Sequence, residues 1–382
     1  MIPFNITFWQ RIVSPHMGAL AAALARRGHS VTYVAEETMS ADRSAMGWAA
    51  PDLSPARVVF APSGHEMVGL LETFPVGTIH LCQGLRSNGS VRQVQRVMAA
   101  RGLAHWVLME TIEDTGLSGT TKRLVYSRLL RRFQKTGAGI LAIGDRMPSW
   151  LAGLGVDITR VAPFAYFLAE QQTSRPASED PDRLYRFAFV GQLIARKRVQ
   201  DILAALARLP AEPMFEFWVV GDGEEAPMLR ILADRLLPGR VRWLGTLPLT
   251  DVPSVLSQVD LLVLPSRHDG WGAVVSEALM LGTPAISSDR CGSAVAVRAS
   301  GVGGVFPMGN IEVLSQLLET ALTRGPVTSS ERCVLAEWAK CLGAVQGADY
   351  LERILLAHAQ NKPLPHAPWV VLPPFHRKFR RL

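Results

Sequence analysis

In the second half of this chain hydrophobic residues dominate short runs at 185–190, 215–220, 241–244, 261–264, 285–287 and 304–306. Between them, 199–209, 227–237, 251–258, 293–299 and 311–322 place apolar residues three and four apart; Val199, Ile202, Leu203 and Leu206 share one helical face. Runs without polar alternation suit strands buried on both sides, and the intervening spacing suits amphipathic helices. The alternation predicts a parallel sheet with helices on both faces. The first half has a looser version of the same rhythm, with strands expected at 4–8, 30–34, 58–61, 78–82, 105–109 and 140–143. A helix is expected at 16–27, ended by Gly28.

The stretch 169–182, AEQQTSRPASEDPD, is polar, bears prolines and has no periodicity, as a linker would. The expected organisation is α/β, with two Rossmann-like, doubly wound parallel-sheet domains facing a cleft. The first domain spans 1–165, the linker 166–184 and the second domain 185–355. A basic tail, 356–382, is expected to pack back on the first domain. A length of 382 residues fits two cores better than one.

Composition narrows the class. The chain is 48% hydrophobic and 19% charged, which suits packed domains rather than disorder. It has no apolar run long enough to span a bilayer. The small-residue run 17–25 is followed, not preceded, by Arg26 and Arg27, the wrong order for a signal peptide. Cys82, Cys291, Cys333 and Cys341 match no metal or redox spacing and read as reduced thiols of a cytoplasmic protein.

The net charge of +7 is concentrated in two places. Residues 122–135 carry six Lys or Arg and 376–382 carry four, neither with an acid; without those ten the remainder is −3. On a helical wheel Val125, Tyr126, Leu129, Leu130 and Phe133 oppose Arg123, Arg128, Arg131, Arg132 and Lys135. One face would pack on a core, and the other would be solvated or lie against an anionic membrane surface. No nucleic-acid module is recognisable, so nucleic acid is not an expected partner.

The chemistry concentrates in 261–289, LLVLPSRHDGWGAVVSEALMLGTPAISSD. A strand ends at Pro265 and Ser266, a turn holds Asp269, Gly270, Trp271 and Gly272, and a helix follows. Glycines at a helix N-terminus leave backbone N–H groups open to an anion. Asp269 and Glu277, eight residues apart, can accept hydrogen bonds from hydroxyls. A nucleotide sugar offers phosphates and hydroxyls together. The plainer alternatives are a helix cap for Asp269, a surface position for Glu277 and a solvated helix start for Lys197. Gly191, Asp222, Gly223 and Gly245 fall just past predicted strands, where such sheets bind ligands.

Over 185–325 the chain resembles the retaining glycosyltransferases of sequence family 4, whose two-Rossmann-domain fold is called GT-B. The matching segments are FVGQLIARKRVQDIL, WVVGDGEEAPML and the stretch from VRWLG to SSD, in the family's order. The resemblance implies that Glu277 binds the nucleotide ribose and that Asp269 contacts the donor sugar. It further implies that the backbone of Gly270, Trp271 and Gly272 helps to hold that sugar and that Lys197 neutralises the diphosphate. No Asp-x-Asp pair ends a strand, so neither a metal nor a cofactor is expected; the donor is a UDP- or GDP-linked sugar.

There are departures from the pattern. Gln192 stands where the family has arginine, with Arg196 or Arg198 as replacements for that charge. Asp269 replaces glutamate, and Arg198 sits where glycine is common. In the first domain, Gly18 and His16 follow the first strand, and Glu110 takes the place of a family histidine; these are the expected acceptor-side residues. The implied setting is transfer to a glycan or lipid-linked acceptor in bacterial surface polysaccharide or glycolipid assembly. That places the protein in the cytoplasm, peripherally on the inner face of the membrane. Two rivals remain: a non-catalytic GT-B subunit, and a nucleotide-cofactor oxidoreductase. The second lacks the Gly-x-Gly-x-x-Gly opening.

Overall fold

The computed structural model describes residues 3–45, 47–86, 88–170, 183–212 and 214–370. The chain divides into two compact units. The first comprises 1–44, 49–169 and 344–368; the second comprises 45–48, 170–343 and 369–382.

The first unit is built on β1 (Asn5–Ile12), β2 (Ser30–Glu37), β3 (Arg57–Phe60), β4 (Ile79–Gln83), β5 (Trp106–Glu110), β6 (Gly139–Ile143) and β7 (Val161–Phe164). The sheet order is β3-β2-β1-β4-β5-β6-β7, and every pair is parallel. Parallel neighbours cannot be joined by hairpins, so each connection crosses over a face and covers it. Trp9 on β1 is fully buried in a cluster with Met67, Val94, Met98, Tyr126, Leu130 and Phe133 from the covering helices. Strand β7 lies where no strand is expected from sequence. Its Pro163 cannot donate to a ladder, and the strand accordingly sits at the sheet edge.

The second unit carries β8 (Tyr185–Val190), β9 (Phe215–Val220), β10 (Val241–Gly245), β11 (Leu261–Leu264), β12 (Ala285–Ser288) and β13 (Gly304–Phe306). Their order is β10-β9-β8-β11-β12-β13, again all parallel. The direction of winding reverses between β8 and β11. In such sheets that switch opens a crevice at the carboxyl ends of the strands, where ligands bind.

The expected second domain runs to 355, but helix Ala344–Ala359 belongs to the first unit. Packing explains the transfer. Tyr350, Leu351, Ile354 and Leu355 are buried, and the Tyr350 hydroxyl donates to the Pro163 carbonyl at 2.9 Å. Arg27 reaches both oxygens of Glu352 at 2.5 and 2.6 Å, and the His29 ring lies 2.7 Å from the same carboxylate. Burial pushes the Glu352 carboxyl up, but hydrogen bonds from Arg27 and His29 outweigh it and hold the group below the usual carboxylate range. The expected basic tail segment 376–382 lies outside the described residues.

Removing Glu352 leaves Arg27 and the fully buried His29 without their shared partner. Glu352→Ala should therefore lower the stability of the first unit by about 3–5 kcal/mol, measured by denaturant unfolding. A change below about 1 kcal/mol would show that the helix is held by its apolar face alone.

Candidate functional site

The loops leaving β8, β9 and β10 touch through their backbones, and two of their glycines leave no room for a side chain. Gly191 N donates to Val220 O at 3.0 Å, Leu193 N to Asp222 O at 2.9 Å, and Gly221 N to Gly245 O at 2.7 Å. A side chain on Gly221 would collide with the Gly191 carbonyl, and one on Gly223 with the Leu193 carbonyl. Both glycines also have positive φ, of 125° and 159°. Asp222 is drawn into this network, its Oδ1 accepting from Gly223 N at 2.8 Å. Gln192, half-buried beside Gly191, makes no side-chain hydrogen bond among the described residues.

After β8 the chain makes one 3-10 turn, Ala195–Lys197, and then enters helix Val199–Leu206 through Arg198. Arg198 has φ 54°, a left-handed conformation that glycine adopts without strain. Its guanidinium is committed to Asp201 at 2.6 and 2.9 Å. Of the two arginines expected to replace the charge missing at Gln192, Arg198 is thus a helix anchor. Arg196 instead turns toward the loop after β11, donating to His268 O at 2.6 Å, while its own carbonyl accepts from Arg267 N at 2.8 Å.

The sequence-predicted Lys197 and Asp269 are brought together across the β8–β11 switch. Lys197 Nζ lies 2.5 Å from Asp269 Oδ2, Arg196 Nη1 lies 3.8 Å from that oxygen, and Ser266 Oγ donates to it at 3.3 Å. Burial pushes the Asp269 carboxyl up, but the charge and hydrogen bond of Lys197, with Arg196, hold it below the usual carboxylate range. The lysine stem runs over Gly191, where an added β-carbon would stand 3.7 Å from Lys197 Cε.

Gly272, at φ 87°, starts helix Ala273–Met280; a β-carbon there would press on Leu264 and Ser293. The first N–H groups of that helix have no partner within it and carry the positive end of its dipole. Glu277 sits on the same helix, half-buried, with no hydrogen bond or ion pair among the described residues. Burial without a counter-charge pushes its carboxyl up to about 7.

The side chain of Trp271 is used within the fold. Its ring is 1% exposed, its indole N–H donates to Ser276 at 3.0 Å, and it lies 6.0 Å from Trp369. It braces the turn from behind, so only its backbone remains for a ligand. The sequence reading also missed the loop after β12. Asp269 N donates to Arg290 O, Gly292 N to Asp269 O, and Ser293 N to Trp271 O, at 3.2, 3.0 and 2.7 Å. The small residues of SSDRCGS were the only available signal, since larger ones could not approach so closely.

In the first unit, Gly18 N is used by Ser14 O at 2.7 Å, and a β-carbon would press on Pro51 and Leu53. The absence of a side chain at Gly18 therefore lets the helix approach Pro51 and Leu53 closely. His16 and Glu110 do meet at the carboxyl ends of the strands. The His16 ring stacks at 5.0 Å on Tyr166, whose hydroxyl donates to Glu110. Tyr166 carried no sequence signal.

Residues 170–334 match the family described as Glycosyl transferases group 1. The lipopolysaccharide core biosynthesis glycosyltransferase LpsE of Rhizobium meliloti (strain 1021) is 33% identical over 131 residues, 34% of this chain and 37% of that protein. The chain covers less than half the length of the curated relatives it matches. Among solved structures, the apo lipopolysaccharide outer core galactosyltransferase WaaB aligns with TM-score 0.69 at 16% identity, covering 93% of this chain and 99% of that one. Anabaena Alr3699/HepE in complex with UDP-glucose aligns with TM-score 0.68 at 15% identity, covering 92% and 99%. The family match thus falls almost wholly within the second unit, and the two parallel-sheet units have the GT-B fold.

Because the folded state holds the Glu277 proton more tightly than the unfolded chain, folding loses stability as pH rises from about 4.5 toward about 7. Glu277→Gln should therefore raise the melting temperature of the second unit by a few degrees at pH 8 and by nothing measurable at pH 4. A variant less stable than wild type at pH 8 would mean that the carboxylate has a structural partner.

Proposed function

We propose that this protein is a retaining glycosyltransferase. It would move a sugar from a UDP- or GDP-linked donor to a hydroxyl of a glycan or lipid-linked acceptor, without a metal or cofactor. The observation that carries the reading is the Lys197–Asp269 pair at the N-terminus of helix Ala273–Met280, with the unpartnered Glu277 on the same helix. This arrangement offers cations and N–H groups to a diphosphate and carboxylates to hydroxyls.

The chemistry follows from charge. Cleavage of the sugar–phosphate bond leaves the bonding electrons on the diphosphate and positive charge on the ring. Lys197, Arg196 and the helix N–H groups stabilise the first, and Asp269 the second. In the retaining reaction the acceptor oxygen bonds to the anomeric carbon on the face the diphosphate leaves. The acceptor proton passes to a diphosphate oxygen, so no side chain has to serve as base. Glu277 holds the ribose, and the network of Gly191, Gly223 and Gly245 shapes the donor pocket. On the acceptor side, Glu110, Tyr166 and His16 combine a hydroxyl acceptor with aromatic faces. The likeness to LpsE supports surface-polysaccharide assembly, and that to HepE with bound UDP-glucose supports a uridine donor.

The setting includes a membrane surface. Helix Gly116–Phe133 buries Tyr126, Leu130 and Phe133 and exposes Arg128, Arg131 and Arg132 beside Leu117 and Leu124, which are 92% and 60% exposed. Arg123 drops out of the expected basic face because it pairs with Asp114 at 2.6 Å. Among the described residues no helix is long and apolar enough to cross a membrane. The proposed association is peripheral and cytoplasmic, with about 1 kcal/mol from each cation near anionic lipid.

A panel of UDP- and GDP-sugars should yield one that the protein turns over, with product of unchanged anomeric configuration by NMR. Glu277→Ala should cut that rate about 100-fold or more while the circular dichroism spectrum is kept. Full activity in this variant contradicts the assignment, and no turnover with any donor favours a non-catalytic GT-B subunit. Charge reversal at Arg128, Arg131 and Arg132 should release the protein from phosphatidylserine vesicles; unchanged binding would remove the helix from the membrane contact.

A further inference from the structure

In the free protein the cation best placed to meet a phosphate is already occupied. Lys197 Nζ and Asp269 Oδ2 are 2.5 Å apart, with only 12% and 15% of the two side chains exposed. Ser266 and Arg196 turn toward the same oxygen. Asp269 Oδ1 accepts no hydrogen bond from the described residues. Any anion arriving at the N-terminus of helix Ala273–Met280 therefore competes with a carboxylate of this chain for one ammonium group, at contact distance and partly screened from water.

The two cations differ in freedom. Arg196 is tied to the loop through His268 O and through its own carbonyl. Lys197 is a compact charge on a flexible stem lying over Gly191 and can change partner without moving backbone. When it does, Asp269 stays behind with its charge beside the incoming phosphates. A nucleoside diphosphate gives that carboxylate nothing in return and repels it. A diphosphate bearing a sugar supplies hydroxyl donors, which Asp269 can accept through both oxygens.

We propose that Asp269 is an internal anion held on Lys197, exchanged for the diphosphate on binding, and that it makes the site prefer a sugar-bearing nucleoside diphosphate over the bare one. Asp269 is thereby a specificity-determining residue. Once the sugar has left, the carboxylate loses its hydroxyl partners, recaptures Lys197 and favours departure of the nucleoside diphosphate. This rests on the donor reading above and adds a sign to it. A carboxylate that only held the donor sugar would, when removed, weaken the conjugate and leave the bare diphosphate unchanged, whereas removing this one tightens the diphosphate without a comparable gain for the conjugate.

Isothermal titration of UDP and UDP-glucose, with GDP and GDP-mannose as the second pair, into wild type and Asp269→Asn tests the exchange. The wild type should bind the sugar conjugate more tightly than its diphosphate. Asp269→Asn should bind the diphosphate about ten-fold more tightly, with no comparable gain for the conjugate. A diphosphate affinity unchanged or weakened in Asp269→Asn, or an equal gain for both ligands, overturns the proposal. So does a wild type that binds diphosphate as tightly as conjugate, a result that requires no variant to fold. Failure of the wild type to bind any of the four overturns the donor reading and the exchange with it. Binding without the expected difference overturns the exchange alone.

Discussion

Every strand of the second unit runs parallel to its neighbours, and that constraint decides where polar chemistry can sit. A parallel sheet is covered on both faces by its crossovers, so β11 is four buried apolar residues, Leu261–Leu264. Polar groups are confined to the strand ends, and the carboxyl ends open where the winding reverses between β8 and β11. Lys197 descends from the first of these strands and Asp269 from the second. They are 72 residues apart in sequence and share one hydrogen bond because the two strands are adjacent.

The loops at that edge hold each other rather than being held by the core. Gly221 and Gly223 allow the turns after β8 and β9 to touch, and Gly272 and Gly292 do the same for those after β11 and β12. Backbone hydrogen bonds then fix Asp269 and Trp271 against Arg290 and Ser293. Within this frame the two carboxylates are treated oppositely. Asp269 is compensated by Lys197 and stays ionised; Glu277 lacks a partner among the described residues and is pushed up to about 7. An uncompensated carboxylate costs stability, which is characteristic of a group kept for a ligand rather than for the fold.

Much of this was legible in the sequence, for reasons of period. Largely apolar runs and helical spacing revealed the alternation, and the glycine-bearing turns marked the strand ends whose loops the structure brings together. What stayed hidden depends on long-range packing. Helix Ala344–Ala359 looks like a continuation of the second domain until the Arg27–Glu352–His29 network ties it to the first unit, and no local pattern announces such a partner. Strand β7 is short, with proline at the edge of the sheet. The motif around Trp271 says nothing of its indole ring, which tertiary packing sets against Ser276 and Trp369. The partners of the close approach expected at Gly18, Pro51 and Leu53, were equally beyond local pattern.

The central claim is that the β8–β11 switch is a nucleotide-sugar site, and a crystal structure of the protein with bound UDP-sugar tests it most directly. The account predicts the diphosphate at the N-terminus of helix Ala273–Met280, the ribose hydroxyls on Glu277, and Lys197 moved from Asp269 to a phosphate oxygen. A nucleotide bound elsewhere on the unit, with the Lys197–Asp269 pair intact and Glu277 untouched, would contradict it.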